Sequence, residues 1–298
     1  MKKTNFNAAF FVLLISVALP QTLLRAQPIG ATTPEIFKRY SEQVVKIEVV
    51  ETGSAAKASI GTGFYAGADG RIVTNYHVVS KLIQTPDRYR VEVTDTSGQT
   101  SLGTVLGVDV VYDLAVLRTS RPVKGYLTLQ STPVAQGTRL YSLGHPRDLG
   151  LTIVEGTYNG LLKHTLYPKV HFTGSLNPGM SGGPTLTQAG RVVGINVATE
   201  GEQISFLVPA ERALALLERT ANAGSPAPSS FLAEVGRQID ANQTRYLAGL
   251  FSAGTPSVNL GPYALPTKPA EFFRCWADAL RRKELPYAAV THDCSTDD

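Results

Sequence analysis

Charge is scarce in this sequence of 298 residues: Asp, Glu, Lys and Arg together make up 17%, against 43% hydrophobic residues. A disordered, solvated chain needs the opposite balance, so that class is excluded, and a coiled coil with it. Gly (27) and Pro (18) are frequent but have no period, which excludes collagen. A surplus of one sign is missing too. The formal charge is +4, but three of the 28 basic residues, Lys2, Lys3 and Arg25, lie in the first 25 positions. Without them 25 basic residues face 24 acidic ones, about +1. Nothing in that balance calls for nucleic acid or an anionic membrane as a partner.

Long apolar runs are also lacking. The strongest, from Ala8 to Leu19, is 12 residues long, and a membrane span needs about 20. It follows Lys2 and Lys3 and precedes Pro20 and Leu24-Arg25-Ala26. That is the pattern of a secretory signal peptide over residues 1–26, and it predicts an exported protein, periplasmic or extracellular. No stable membrane insertion is expected after cleavage. Cysteine occurs only at Cys275 and Cys294. In an oxidising compartment the two are expected to form a disulfide. Closing a loop of about 20 residues would constrain the unfolded chain by roughly 3 kcal/mol. His292 alone accompanies them as a soft ligand, so no metal site is expected.

What the sequence does contain is short strands. From Ser41 to Pro209, apolar and β-branched segments alternate with Gly, Pro, Asn and Asp turns. About twelve such segments can be read, from Val44–Val50 through Leu114–Arg118 to Ile204–Val208. Their close, regular spacing predicts a mainly β protein built of barrels or a sandwich rather than strand–helix units. A midpoint near Arg121-Pro122-Val123-Lys124-Gly125 divides residues 27–125 from 126–224. After Pro209, Ala213, Leu214, Leu216 and Leu217 have helical spacing, and Gly224 supplies a stop. Residues 225–230 read as a linker. Residues 231–298 read as a helical extension. One helix carries Leu232, Val235, Ile239, Tyr246 and Leu250 on a face, and a last one carries Phe272, Trp276 and Leu280. These aromatic residues read as core, and a partner on the extension is possible.

Three segments point to chemistry. Asn177-Pro178-Gly179-Met180-Ser181-Gly182-Gly183-Pro184 places a serine among glycines. A serine hydroxyl is a poor nucleophile until a base takes its proton and donors stabilise the resulting oxyanion. Glycines allow the sharp turn and the close approach of a carbonyl. Thr74-Asn75-Tyr76-His77-Val78-Val79 supplies a histidine, whose side chain suits a base near neutral pH. Tyr112-Asp113-Leu114-Ala115-Val116-Leu117 supplies an aspartate able to orient it. His145 sits in a turn, and His164 and His171 lack a suitable carboxylate context. Asp109 lacks the apolar strand that directly follows Asp113.

These segments, with Gly61-Thr62-Gly63-Phe64, resemble the trypsin-like serine peptidases, and within them the bacterial HtrA/Deg branch. Gly190-Arg191-Val192-Val193-Gly194-Ile195-Asn196 and Ile204-Ser205-Phe206-Leu207-Val208-Pro209 match that branch as well. The resemblance covers Ser41 to Pro209. It implies two packed six-stranded antiparallel barrels with the site in the cleft between them. By it, His77 is the general base, Asp113 its orienter and Ser181 the nucleophile, and Gly179 with Ser181 forms the oxyanion hole. A cofactor-free serine endopeptidase acting on proteins or peptides is implied. Ser175, six residues before Ser181, would lie at the floor of the primary pocket and favour uncharged side chains.

Two departures stand against the pattern. Met180 occupies a position where the family has Asn or Asp, so it cannot pair with a new N-terminal amine. Residues 225–298 do not read as the PDZ module that HtrA proteins carry. Both motivate an alternative, a catalytically silent trypsin-like fold serving as a binding or signalling module.

Overall fold

The computed structural model describes residues 30–199, 203–222, 230–252, 254, 256–260, 262–281 and 286–296. The expected signal peptide and residues 225–229 of the expected linker lie outside the described residues. After a short helix α1 (Thr33–Tyr40), the chain builds a first barrel. Its strands are β1 (Val44–Glu51), β2 (Lys57–Tyr65), β3 (Arg71–Thr74), β4 (Tyr89–Thr94), β5 (Thr100–Asp109) and β6 (Leu114–Thr119). Helix α2 (Tyr76–Gln84) interrupts them between β3 and β4. The barrel closes in the order β1-β2-β3-β6-β5-β4.

A second set follows: β7 (Thr128–Leu129), β8 (Arg139–Gly144), β9 (Thr152–Leu161), β10 (Val170–Phe172), β11 (Pro184–Thr187), β12 (Arg191–Thr199) and β13 (Ser205–Pro209). Six of them run antiparallel in the order β11-β8-β9-β10-β13-β12, and the β11–β12 pairing closes the ring. The short β7 is added in parallel to β12. The expected pair of six-stranded barrels is therefore present.

Side-chain alternation explains why the strands nearest the barrel interface are apolar on both faces. Successive residues of a strand point to opposite sides. In β6, Ala115 and Leu117 fill the first barrel. Leu114 and Val116 face a second core shared with Leu143, Leu186 and Ile195 of the other barrel. That shared core also takes Ala213, Leu216 and Leu217 of helix α3 (Ala210–Arg219). Each fully buried Leu or Val contributes about 1.5–3 kcal/mol. Apolar packing thus joins the two barrels.

The C-terminal part corrects one expectation. Helix α4 (Ser230–Ser252) forms where a helix was expected, and it buries Phe231 and Val235 against the first barrel. The second expected helix is absent from the described residues. Two hairpins stand there instead, β14 (Ser257–Leu260) with β15 (Tyr263–Pro266) and β16 (Arg274–Arg281) with β17 (Ala288–Ser295). A spacing of four fits a helical turn, but it also fits every second side chain on one face of a strand. Trp276 is 48% exposed and Leu280 37%, so neither is core. Phe272 instead stacks between Phe273 and Tyr246 of α4. Directly opposed in the β16–β17 ladder, Cys275 and Cys294 are joined as a disulfide. Among the described residues no helix is long and apolar enough to cross a membrane.

Candidate active site

Strand β3 ends at Thr74, and Asn75 begins α2 as its N-cap. The second helical residue is His77. The first amides of a helix have no intrahelical acceptor, and here Asp113 supplies one. Its Oδ1 accepts from the His77 backbone N–H at 2.8 Å, and its Oδ2 lies 2.6 Å from His77 Nδ1. The Asp113 carbonyl accepts from Tyr76 N–H at 3.1 Å and from Asn75 Nδ2 at 2.8 Å. A carboxylate only accepts, so the imidazole donates from Nδ1 and leaves Nε2 as its lone-pair nitrogen. Asp113 itself has φ +52° in the four-residue turn between β5 and β6, a conformation that Asp tolerates better than most residues. The His77 side chain is about half exposed and that of Asp113 about a quarter, so the aspartate is only partly buried.

Ser181 lies in the second of two consecutive tight turns. Met180 N–H donates to Asn177 O at 2.9 Å, with Pro178 and Gly179 (φ +98°) in the middle. Proline at i+1 and a positive-φ glycine at i+2 are the requirements of a type II turn. A second turn runs from Met180 O to Gly183 N–H at 3.0 Å, with Gly182 at φ +84°. The loop is tied to the first barrel by Thr62. Its N–H donates to Ser181 O at 2.8 Å and its hydroxyl to Gly179 O at 2.7 Å. A Cβ on Gly182 would lie 2.3 Å from Thr74 Oγ1 and 3.0 Å from Asn75 N. Ser181 is thereby held beside the segment that leads into His77.

Beneath the loop lies Asn196, fully buried. Its Nδ2 donates to Met180 O at 3.1 Å, and its Oδ1 accepts from Thr185 Oγ1 at 2.7 Å and Ser142 Oγ at 2.9 Å. Met180 is buried among Leu140, Phe172 and Leu207. Apolar packing thus seats the turn where an ion pair would serve in the pattern the sequence departs from. Pro178 O accepts from Arg147 N–H at 2.8 Å. In a trans peptide the N–H points opposite to the C=O, which turns Gly179 N–H away from that contact. Among the described residues, the N–H groups of Gly179 and Ser181 meet no acceptor.

Residues 145–148 support this turn. Arg147 and Asp148 both have positive φ, +49° and +61°, each a strained state for a residue with a Cβ. Asp148 spans the barrels: Oδ1 lies 2.9 Å from Lys46 Nζ and Oδ2 2.6 Å from Lys57 Nζ, and both lysines also meet Glu48. Hydrogen bonds from Lys57 and Lys46 pull the Asp148 carboxyl down to about 2. Burial lowers the neighbouring His145 imidazole to about 4, with the charge of Lys46 acting in the same direction. A carboxyl whose folded pKa is lowered stabilises the fold above its unfolded pKa, near 3.9, and ceases to as pH falls through the folded value. Asp148→Asn is therefore expected to lower stability at pH 7 by up to about 1 kcal/mol, the ceiling for a partly exposed network. The gap should close between about pH 4 and pH 2. Thermal unfolding of both proteins across that range checks it, and a gap that does not change with pH would refute the assignment.

The other expected positions separate. Ser175 is exposed, so its side chain does not form a buried floor; the buried hydroxyl there is Ser205, which donates to Gly174 O at 2.7 Å. Asp109 pairs with Arg219 at 3.0 Å and not with a histidine. His145 lies against Thr62 Oγ1 at 3.3 Å. Thr62, Asn196 and Asp148 were not singled out from sequence. Thr62 and Asn196 lie inside the motifs quoted above, but some of their partners are distant: Asn196 bonds Ser142 across 54 residues and Thr62 bonds Ser181 across 119, and no local pattern reports such pairings.

Residues 61–195 match the family model described as the trypsin-like peptidase domain. The chain carries a trypsin-like peptidase domain, and its relatives are HtrA and DegP-like proteins. It is 32% identical over 238 residues to the mitochondrial serine protease HTRA2 of Bos taurus, covering 75% of this chain and 48% of that protein. It is 29% identical over 225 residues to a probable periplasmic serine endoprotease, DegP-like, of Chlamydia pneumoniae, covering 72% and 44%. The chain thus spans about half the length of these relatives. Among solved structures, Deg5 superposes with a TM-score of 0.52 at 28% identity, over 60% of this chain and 89% of that one. A serine endoprotease from Yersinia pestis shares the fold, with a TM-score of 0.54 at 24% identity over 64% and 67%.

Proposed function

We propose that this chain is an exported serine endopeptidase that cleaves protein or peptide substrates through an acyl-enzyme. The observation that carries the reading is the double hold of Asp113 on His77, through backbone N–H and Nδ1, beside the stitched Ser181 turn. In this reading His77 Nε2 takes the Ser181 hydroxyl proton as Oγ attacks the substrate carbonyl carbon. The N–H groups of Gly179 and Ser181 receive the oxyanion. The amine leaves with the proton from His77, and water, deprotonated by the same nitrogen, releases the acid and restores Ser181. Export is supported by the residue 1–26 pattern and by relatives described as periplasmic.

A fluorophosphonate probe tests the reading, because it labels only a serine whose hydroxyl is activated. The protein is expected to label stoichiometrically, and Ser181→Ala to lose all labelling. Folded protein that stays unlabelled would overturn the peptidase reading and leave the silent binding module in its place.

A further inference from the structure

The turn that presents Asp113 is only four residues long: the β5–β6 ladder closes at Asp109 and Leu114. Residues of that turn take much of their support from outside the first barrel. Asp109, 7% exposed, accepts from Tyr112 N–H at 3.1 Å and is itself paired with Arg219 of α3. Arg212 of α3 stacks its guanidinium 4.4 Å from the centre of the Tyr112 ring, and the edge of Tyr167 meets that ring at 5.8 Å. Two backbone groups where β5 runs into the turn are met by a residue of α4, 128 positions beyond Val110. Gln238 Oε1 accepts from Val110 N–H at 2.9 Å, and its Nε2 donates to Val108 O at 2.9 Å.

Gln238 thus forms a two-point amide contact with the backbone on either side of Asp109, in the manner of an added strand residue. It is well placed to do so. One turn earlier, Glu234 Oε1 accepts from the same Nε2 at 2.8 Å and fixes the rotamer. Phe231 and Val235 anchor the same part of α4 in the core of the first barrel. One turn later, Asn242 hydrogen-bonds the Tyr167 hydroxyl, whose ring touches Tyr112.

We infer that helix α4 is an internal brace for the catalytic carboxylate, with Gln238 the positioning residue that sets the 110–113 turn and through it Asp113. The inference rests on the peptidase reading given above. A part-buried amide left without its partner seeks another. If Val110 N–H and Val108 O lose Gln238, the turn relaxes toward water, and the φ +52° of Asp113 loses the frame that holds it. A displacement of about 1 Å at an orienting group costs up to about 100-fold in rate.

The test compares the protein with Gln238→Met, which keeps the volume and removes both hydrogen bonds. Acylation by the fluorophosphonate is timed and expressed per labelled site, so loss of folded molecules does not register. The expected result is a rate per site lowered about 10- to 100-fold, with KM for a peptide substrate unchanged. A second readout does not require turnover: the low-field proton resonance of an imidazole N–H hydrogen-bonded to a carboxylate. It should be sharp in the parent and broadened or lost in Gln238→Met. Gln238→Glu keeps the acceptor for Val110 N–H and loses the donor to Val108 O, so an intermediate rate is expected, and it decides the matter if Gln238→Met does not fold. Arg237→Ala, an exposed neighbour whose ion-pair partner is Glu234, should leave rate and resonance as they are. An unchanged rate per site and an unchanged resonance in the Gln238 variants would overturn the brace. A parent that does not label would instead overturn the peptidase reading, and the resonance alone would then decide whether Gln238 positions Asp113.

Discussion

Asp113→Asn is expected to lower kcat on a peptide substrate by about 10⁴-fold, with little change in KM. The expectation follows from two contacts of one side chain. Asp113 receives the His77 backbone N–H on Oδ1 and His77 Nδ1 on Oδ2. An asparagine can keep the first contact only by presenting its oxygen there, and its Nδ2 then faces the imidazole. A donor facing Nδ1 forces that nitrogen to accept, and the ring proton moves to Nε2. The nitrogen meant to take the serine proton is then already protonated. The backbone contact, the turn and the helix start all survive, so the fold should not change. Steady-state kinetics on the purified variant, with circular dichroism beside it, provide the check. A loss smaller than about tenfold would mean that the pair does not set the tautomer.

Gly179→Ala is expected to lower kcat by about 10²- to 10³-fold, the cost of one oxyanion donor, and to lower Tm as well. At φ +98° an added Cβ would stand 2.3 Å from His145 O and 3.1 Å from Arg147 N. Both are backbone atoms, and Arg147 N–H holds the turn through Pro178 O, so neither can yield as a flexible side chain could. The Pro178–Gly179 peptide must rotate, which takes Pro178 O off Arg147 N–H and swings the Gly179 N–H out of line. Gly160 makes the comparison sharp. It has φ +91°, but a Cβ there meets no atom within 4 Å. Gly160→Ala should therefore carry only backbone strain, about 1–3 kcal/mol, and keep kcat per labelled site. If both variants lose kcat equally, positive φ alone is responsible and the His145 contact has no part in it.

Much of this was legible in the sequence because it was local. The twelve strand segments appear where turns and β-branched residues place them. The Asn177-Pro178-Gly179-Met180 turn has the residues that its dihedral angles require. The last hairpin reads as a helix in sequence for an equally local reason. Phe272, Trp276 and Leu280 recur at an interval shared by a helix face and a strand face, and only pairing with Ala288–Ser295 selects the strand. The short β7 is not legible in the sequence, since two residues carry no pattern of their own. Met180 shows a different limit. Its side chain reads as a departure from the family pattern, yet its burial among Leu140, Phe172 and Leu207 makes it part of the floor under the turn.

The chain by itself determined which residue types the proposed proton transfer and nucleophilic attack could use, in which order, and which turns could present them. It did so because turns and strand alternation depend on neighbours a few positions apart. Tertiary structure alone decided what holds those turns in place. Thr62 reaches the Ser181 loop across 119 residues of sequence, Lys46 reaches Asp148 across 102, and Gln238 reaches the Asp113 turn across 128. Contacts of that separation depend on barrel closure and helix docking, which bring together polar groups that lie far apart along the chain.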